Sequence, residues 1–125
     1  MTKFFISIAA IMAGLSVAGG AFASHALKDQ ISERALEIFE TGSKYQMYHA
    51  LALLMVGLFL SNREVTSTLL SAAGWAFIIG VVLFSGSLYA LSLSGIKWLG
   101  AITPLGGVAF LVGWGCFAIA AWGFK

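Results

Sequence analysis

Hydrophobic residues fill four long runs in this chain, and most of its charge falls in one gap between them. The runs extend from Phe4 to about Ala23, from about Tyr45 to Leu60, from about Ser67 to Leu93 and from about Leu99 to Phe124. None alternates with period two, so each predicts a helix and not a strand. A helix needs about 20 apolar residues to cross the hydrocarbon core of a bilayer. Four spans are therefore expected, the second slightly short and the third, free of charge, long enough to tilt. The expected fold is all-α, an integral membrane four-helix bundle in a single domain over residues 1–125.

The gap between the first two runs, Lys28 to Lys44, has a pattern of its own. Ile31, Ala35, Ile38 and Phe39 recur at helical spacing, with Leu27 one turn ahead, while Glu33, Arg34, Glu37 and Glu40 take other faces. Asp29 or Ser32 can cap a start, and Gly42 stands where a C′ glycine would end a helix. This predicts a short amphipathic helix over about 30–41, lying at the membrane surface. Arg34 and Glu37 form a favourable i,i+3 pair and Glu33 and Glu37 an unfavourable i,i+4 pair, each worth tenths of a kcal/mol. The acidic excess of the segment argues against attraction to anionic lipids, and its polar face reads as solvated.

Composition agrees with the runs. The chain is 60% hydrophobic and 10% charged, against roughly a quarter charged in soluble domains. The mean hydropathy is +0.96. Too few polar groups exist to cover a water-facing surface, so the bilayer is the expected main partner. The net charge of +2 is scattered and forms no basic patch, which excludes nucleic acid as a partner. Cys116 is the single cysteine; it reads as a small buried hydrophobe, without the spacing of a metal site. Lys3, the apolar stretch behind it and Ala21-Phe22-Ala23 also have the form of a secretory leader. The expectation is that this segment remains as the first span. Positive charges divide three against four between the two faces and do not decide the orientation. Lys3 ahead of the first span tips it toward both termini in the cytoplasm of a bacterial inner membrane.

Lipid gives helices no hydrophobic reason to associate, so small residues mark close packing. Ala10, Gly14 and Ala18, with Ala9 and Ala13 beside them, supply such positions in span one. Gly74, Gly80 and Gly86 do so in span three, and Gly106, Gly107, Gly113 and Gly115 in span four. They favour internal packing, with a homo-oligomer or a larger membrane complex as the alternative use.

Polar chemistry gathers at one expected end of the bundle. His25 lies where span one leaves the membrane, and Tyr45, Gln46, Tyr48 and His49 where span two enters. Ser85, Ser87 and Tyr89 close span three, and Thr103 and Pro104 open span four. Tyr45, Tyr48, His49 and Ala52 share one helical face, expected to look inward. His25 and His49 are expected near one another.

GAFASHAL (20–27), TGSKYQMYHALALL (41–54), LFSGSLYAL (83–91) and TPLGG (103–107) resemble the small inner-membrane proteins of the YgdD/YwdK type, a family that includes the animal transmembrane protein 256. The resemblance covers nearly the whole chain. It departs at Ala23-Ser24, where the family usually has Gly-Ala before the first histidine. It implies a four-span membrane fold and, for a domain of unknown function, supplies no activity.

The favoured reading is an accessory or scaffolding membrane protein whose polar end closes the bundle. The alternative is a ligand site of His25, Tyr45, Gln46, Tyr48, His49, Ser85, Ser87, Tyr89 and Thr103, holding a quinone or a lipid head group. Haem or a metal on His25 and His49 is its weakest form, since two histidines leave a first shell incomplete unless Glu33, Glu37 or Glu40 folds back. A proton or ion path is a further alternative, but it lacks ionisable groups in the rest of the spans and needs an oligomer. Catalysis by Ser85 or Ser87 with His49 lacks an acidic residue to orient the imidazole. TPLGG lacks the lysine and strand of a phosphate-binding loop.

Overall fold

The computed structural model describes residues 1–62 and 68–124. Ser67, Arg63, Glu64 and Lys125, which bound the expected third and fourth spans, lie outside the described residues. Among the described residues the chain is helical, with no strand. Four long helices follow one another: α1 Thr2–Leu27, α2 Glu33–Leu60, α3 Thr68–Ser94 and α4 Lys97–Ala121. Of these, α1, α3 and α4 are long and apolar enough to cross a membrane. The first half of α2 carries Glu33, Arg34, Glu37, Glu40 and Lys44, which lowers its hydropathy below theirs.

The separate amphipathic helix over 30–41 is corrected. Its residues and those of the second run form one unbroken helix of 28 residues, about 42 Å long at 1.5 Å per residue. Ser32 caps it, accepting from the Ala35 amide at 3.1 Å. Gly42 is no terminus but an interior, buried residue. A Cβ there would stand 3.3 Å from the Ser85 carbonyl oxygen and 3.1 Å from the Tyr89 ring, so the glycine lets α3 come close. The left-handed glycine cap belongs to Gly95, at φ +73°, after α3.

α1 lies antiparallel along α2: Ser16 meets Ser43, Met12 meets Gln46 and Ile6 packs on Gly57. α3 lies antiparallel along α4 by a reciprocal fit. Phe77 fills the space over Gly113, and Phe110 the space over Gly80. Gly106 meets the backbone nitrogen of Phe84, and Gly74 meets the ring of Phe5. Phe5, Leu53, Val56, Leu70 and Phe77 are fully buried in the shared core. In α1 the packed face is Phe5, Ala9, Met12 and Ser16. The expected contact stripe Ala10, Gly14 and Ala18 is exposed, one residue around the helix from the true face. Gly86, Gly107 and Gly115 likewise meet nothing within 4 Å.

Two helices contain a π turn, Ala23–Leu27 in α1 and Val81–Ser85 in α3. A π turn adds a residue and rotates the side chains beyond it. In α3 this divides the buried face. Before it Phe77 and Gly80 face α4, and from its last residue onward Ser85 and Leu88 face Gly42 of α2.

Candidate functional site

Polar side chains run between the helices as a ladder. Ser16 and Ser43 form the first rung: each hydroxyl donates to the other residue's carbonyl, at 2.5 and 2.9 Å. Gln46 forms the second and joins three helices. Its amide donates to the Met12 carbonyl at 2.7 Å, and its carbonyl accepts from the Tyr89 hydroxyl at 2.7 Å. Ser85 donates to the Gly42 carbonyl at 2.6 Å, tying α3 to α2. Ser87 and Thr103 share a 2.6 Å hydrogen bond between α3 and α4.

His49 forms the last rung. Its Nδ1 lies 2.8 Å from the Tyr45 carbonyl, and its Nε2 lies 3.1 Å from the indole nitrogen of Trp114. An indole N–H can only donate, so Nε2 accepts and the proton sits on Nδ1, which donates to Tyr45. The ring lies flat on Phe110, centroids 3.5 Å apart and planes 8° apart. Phe77 and Trp114 pack around it.

His49 and the Gln46–Met12 bond lie deep along the helices and not at their end, which corrects their expected place, whereas Ser87, Tyr89 and Thr103 stand where expected, in the last turns of α3 and the first turns of α4. Because α2 begins at Glu33, His49 stands about 16 residues along it, roughly 24 Å from its start. Met12 and Ser16 straddle the middle of α1.

Of the expected site residues, Gln46, His49, Ser85 and Ser87 are buried, and Tyr89 and Thr103 half-buried, within the ladder. Tyr48 is 52% exposed and joins no rung, so the inward face proposed for it is corrected. Tyr45 is also exposed; it contributes its carbonyl to His49, and its ring packs on Phe84 at 4.8 Å. His25 is exposed in the π turn that ends α1. Gln46 is level with Met12, so His49 is level with about Ala9, and His25 lies roughly 24 Å further along α1. The two imidazoles do not meet, which corrects the expectation that they lie near one another and removes the weak alternative of ligation by the pair. Among the described residues no three of His, Cys, Asp and Glu cluster as a metal shell.

Ser16, Ser43 and Trp114 were not expected in the site. Trp114 had a signal: tryptophan favours membrane interfaces, and one in the middle of a run must find a partner for its N–H. Ser16 and Ser43 had none beyond being hydroxyls opposite one another once the two helices are aligned.

Among the described residues no buried side-chain nitrogen or oxygen lacks a hydrogen-bond partner. Each buried polar side chain of the ladder therefore has at least one partner within the chain. The ladder holds helices together, each bond contributing about 0.6 kcal/mol in a membrane protein.

Comparison with known proteins agrees with the resemblance read from the motifs. A family model described as a protein of unknown function, DUF423, matches residues 19–107. The UPF0382 membrane protein YwdK of Bacillus subtilis is 48% identical over 119 residues, covering 95% of this chain and 96% of the relative. A UPF0382 membrane protein of Staphylococcus epidermidis is 46% identical over 118 residues, 94% of each chain. No solved structure matches the chain. A helical chain with three apolar spans, matched along nearly its whole length by bacterial membrane proteins, belongs to the DUF423 family of UPF0382 membrane proteins.

Proposed function

We propose that the protein is a four-span membrane bundle that serves as an accessory or scaffolding component, its polar residues tying helix to helix. The observation that carries this reading is the closure of the ladder: Ser16, Ser43, Gln46, Ser85, Ser87, Tyr89 and His49 all bond within the chain. A ligand site leaves polar side chains waiting for a partner, and among the described residues each buried one already has a partner in the chain. Contacts with α1 and α3 along its length support α2 as the fourth crossing. Lys44, on its exposed side, can extend its ammonium toward the head groups while its stem covers apolar surface. Four crossings put both termini on one face, and Lys3 ahead of α1 favours the cytoplasmic side of a bacterial plasma membrane.

A double-mutant cycle tests the reading. Gln46→Leu and Tyr89→Phe should each lower the thermal stability of the purified protein in mild detergent. Together they should lose less than the sum, with a coupling of about 0.6 kcal/mol. Strictly additive losses would mean that the rung is not a tie, and the scaffold reading would lose its support.

A further inference from the structure

A groove of about 430 Å³ opens where the start of α2 meets the end of α3. Ser32, Arg34, Ala35 and Ile38 line it from α2 and its cap, and Leu91, Ser92, Gly95 and Lys97 from the α3–α4 turn. Its position is interfacial: α3 ends at Ser94, and Trp98 beside it is exposed, as in the aromatic belt at head-group level. The floor is apolar, made by Ala35, Ile38 and Leu91, and two cations from distant parts of the chain stand on it. Among the described residues no acidic side chain lines it. The first turn of α2 also faces the groove, and a helix N-terminus favours an anion.

We propose that this groove binds the head group of an anionic phospholipid, its phosphate between Arg34 and Lys97 and the start of an acyl chain along Ile38 and Leu91. The net acidity of the 28–44 segment does not oppose this, because the charges are sorted in space. Glu33 and Glu40 are exposed outside the groove. Glu37 pairs with Arg34 at 3.3 Å, but both side chains are largely exposed, 67% and 80%. Such a pair is weak, and a phosphate offers the guanidinium a bidentate partner in its place. Lys97 has no ion pair among the described residues. The site is separate from the helix-tying ladder and does not depend on it.

The test is native mass spectrometry of the full chain in mild detergent, titrated with phosphatidylglycerol and, separately, with phosphatidylcholine of the same acyl chains. The wild type should bind the anionic lipid more tightly, by about fivefold for each engaged cation. Arg34→Ala with Lys97→Ala should remove that preference, while Lys28→Ala, exposed and outside the groove, should keep it. Ile38→Ser should weaken both lipids alike. Glycerol phosphate without acyl chains should not displace the bound lipid. A preference for the anionic lipid in the double variant as large as the wild type's, no preference in the wild type, or displacement by glycerol phosphate would each overturn the proposal. If the double variant does not fold, Arg34→Glu alone, which reverses one exposed charge, reads the same preference.

Discussion

The indole N–H of Trp114 donates to Nε2 of His49 at 3.1 Å and so fixes which nitrogen of the imidazole carries the proton. The pair joins α2 to α4 deep within the helices. His49 is held from its other side by the Tyr45 carbonyl and from its face by Phe110. Each contact limits the ring further, leaving neither nitrogen open to a third partner.

Replacing either member should therefore destabilise the protein. Trp114→Phe leaves Nε2 as a buried acceptor without a donor, which costs about 1–3 kcal/mol. His49→Phe keeps a ring on Phe110 and loses both nitrogens. Once His49→Phe is present, adding Trp114→Phe should cost little more. Melting temperatures of the two single variants and the double variant check this; losses that simply add would contradict the bond.

The meeting of α3 and α4 depends on missing side chains. At Gly106 a Cβ would fall 2.3 Å from the backbone nitrogen of Phe84, and a backbone cannot swing aside as a side chain does. Gly106→Ala should force the helices apart and destabilise by about 1–3 kcal/mol, the range for an overpacked core. Its neighbour Gly107 meets nothing within 4 Å. Gly107→Ala should be neutral or stabilise by up to about 1 kcal/mol through helix propensity. Thermal melting of the two variants side by side separates them, and similar behaviour would count against this packing.

Much of this arrangement could be read from the chain, for a physical reason. Lipid demands long apolar runs and the backbone must satisfy itself, so helices announce themselves by length. What a uniformly apolar run conceals is which way each helix faces. On α2 the packed face includes Gly42, Gln46, His49 and Leu53, whereas the i, i+3, i+4 pattern of Tyr45, Tyr48 and His49 suggested a face turned toward the tyrosines. Gly42 looked like a terminus because glycine ends helices, yet it also lets two helices touch, and only its neighbours Leu88 and Tyr89 reveal which use applies. That single boundary moved one member of the polar cluster. With α2 unbroken, His49 travels into the interior and away from His25.

The core itself should respond to depth in the packing more than to hydrophobicity. Leu53 is fully buried, while Leu51, two residues earlier, is half exposed toward the surroundings. Leu53→Ala should lose about 2–5 kcal/mol, as a buried cavity does. Leu51→Ala, on a side chain that lipid can replace, should cost far less. Detergent melting of both variants checks the orientation of α2; a reversed order would mean that the helix is rotated.

The most direct measurement of the central claim is native mass spectrometry of the protein extracted from its own membrane, wild type beside His49→Phe and Gln46→Leu. If the ladder is a set of ties between helices, any mass bound to the wild type persists unchanged in both variants, including phospholipid held at the separate Arg34–Lys97 groove. A haem, metal, quinone or lipid mass that disappears with His49 or Gln46 would contradict that account and make the ladder a binding site.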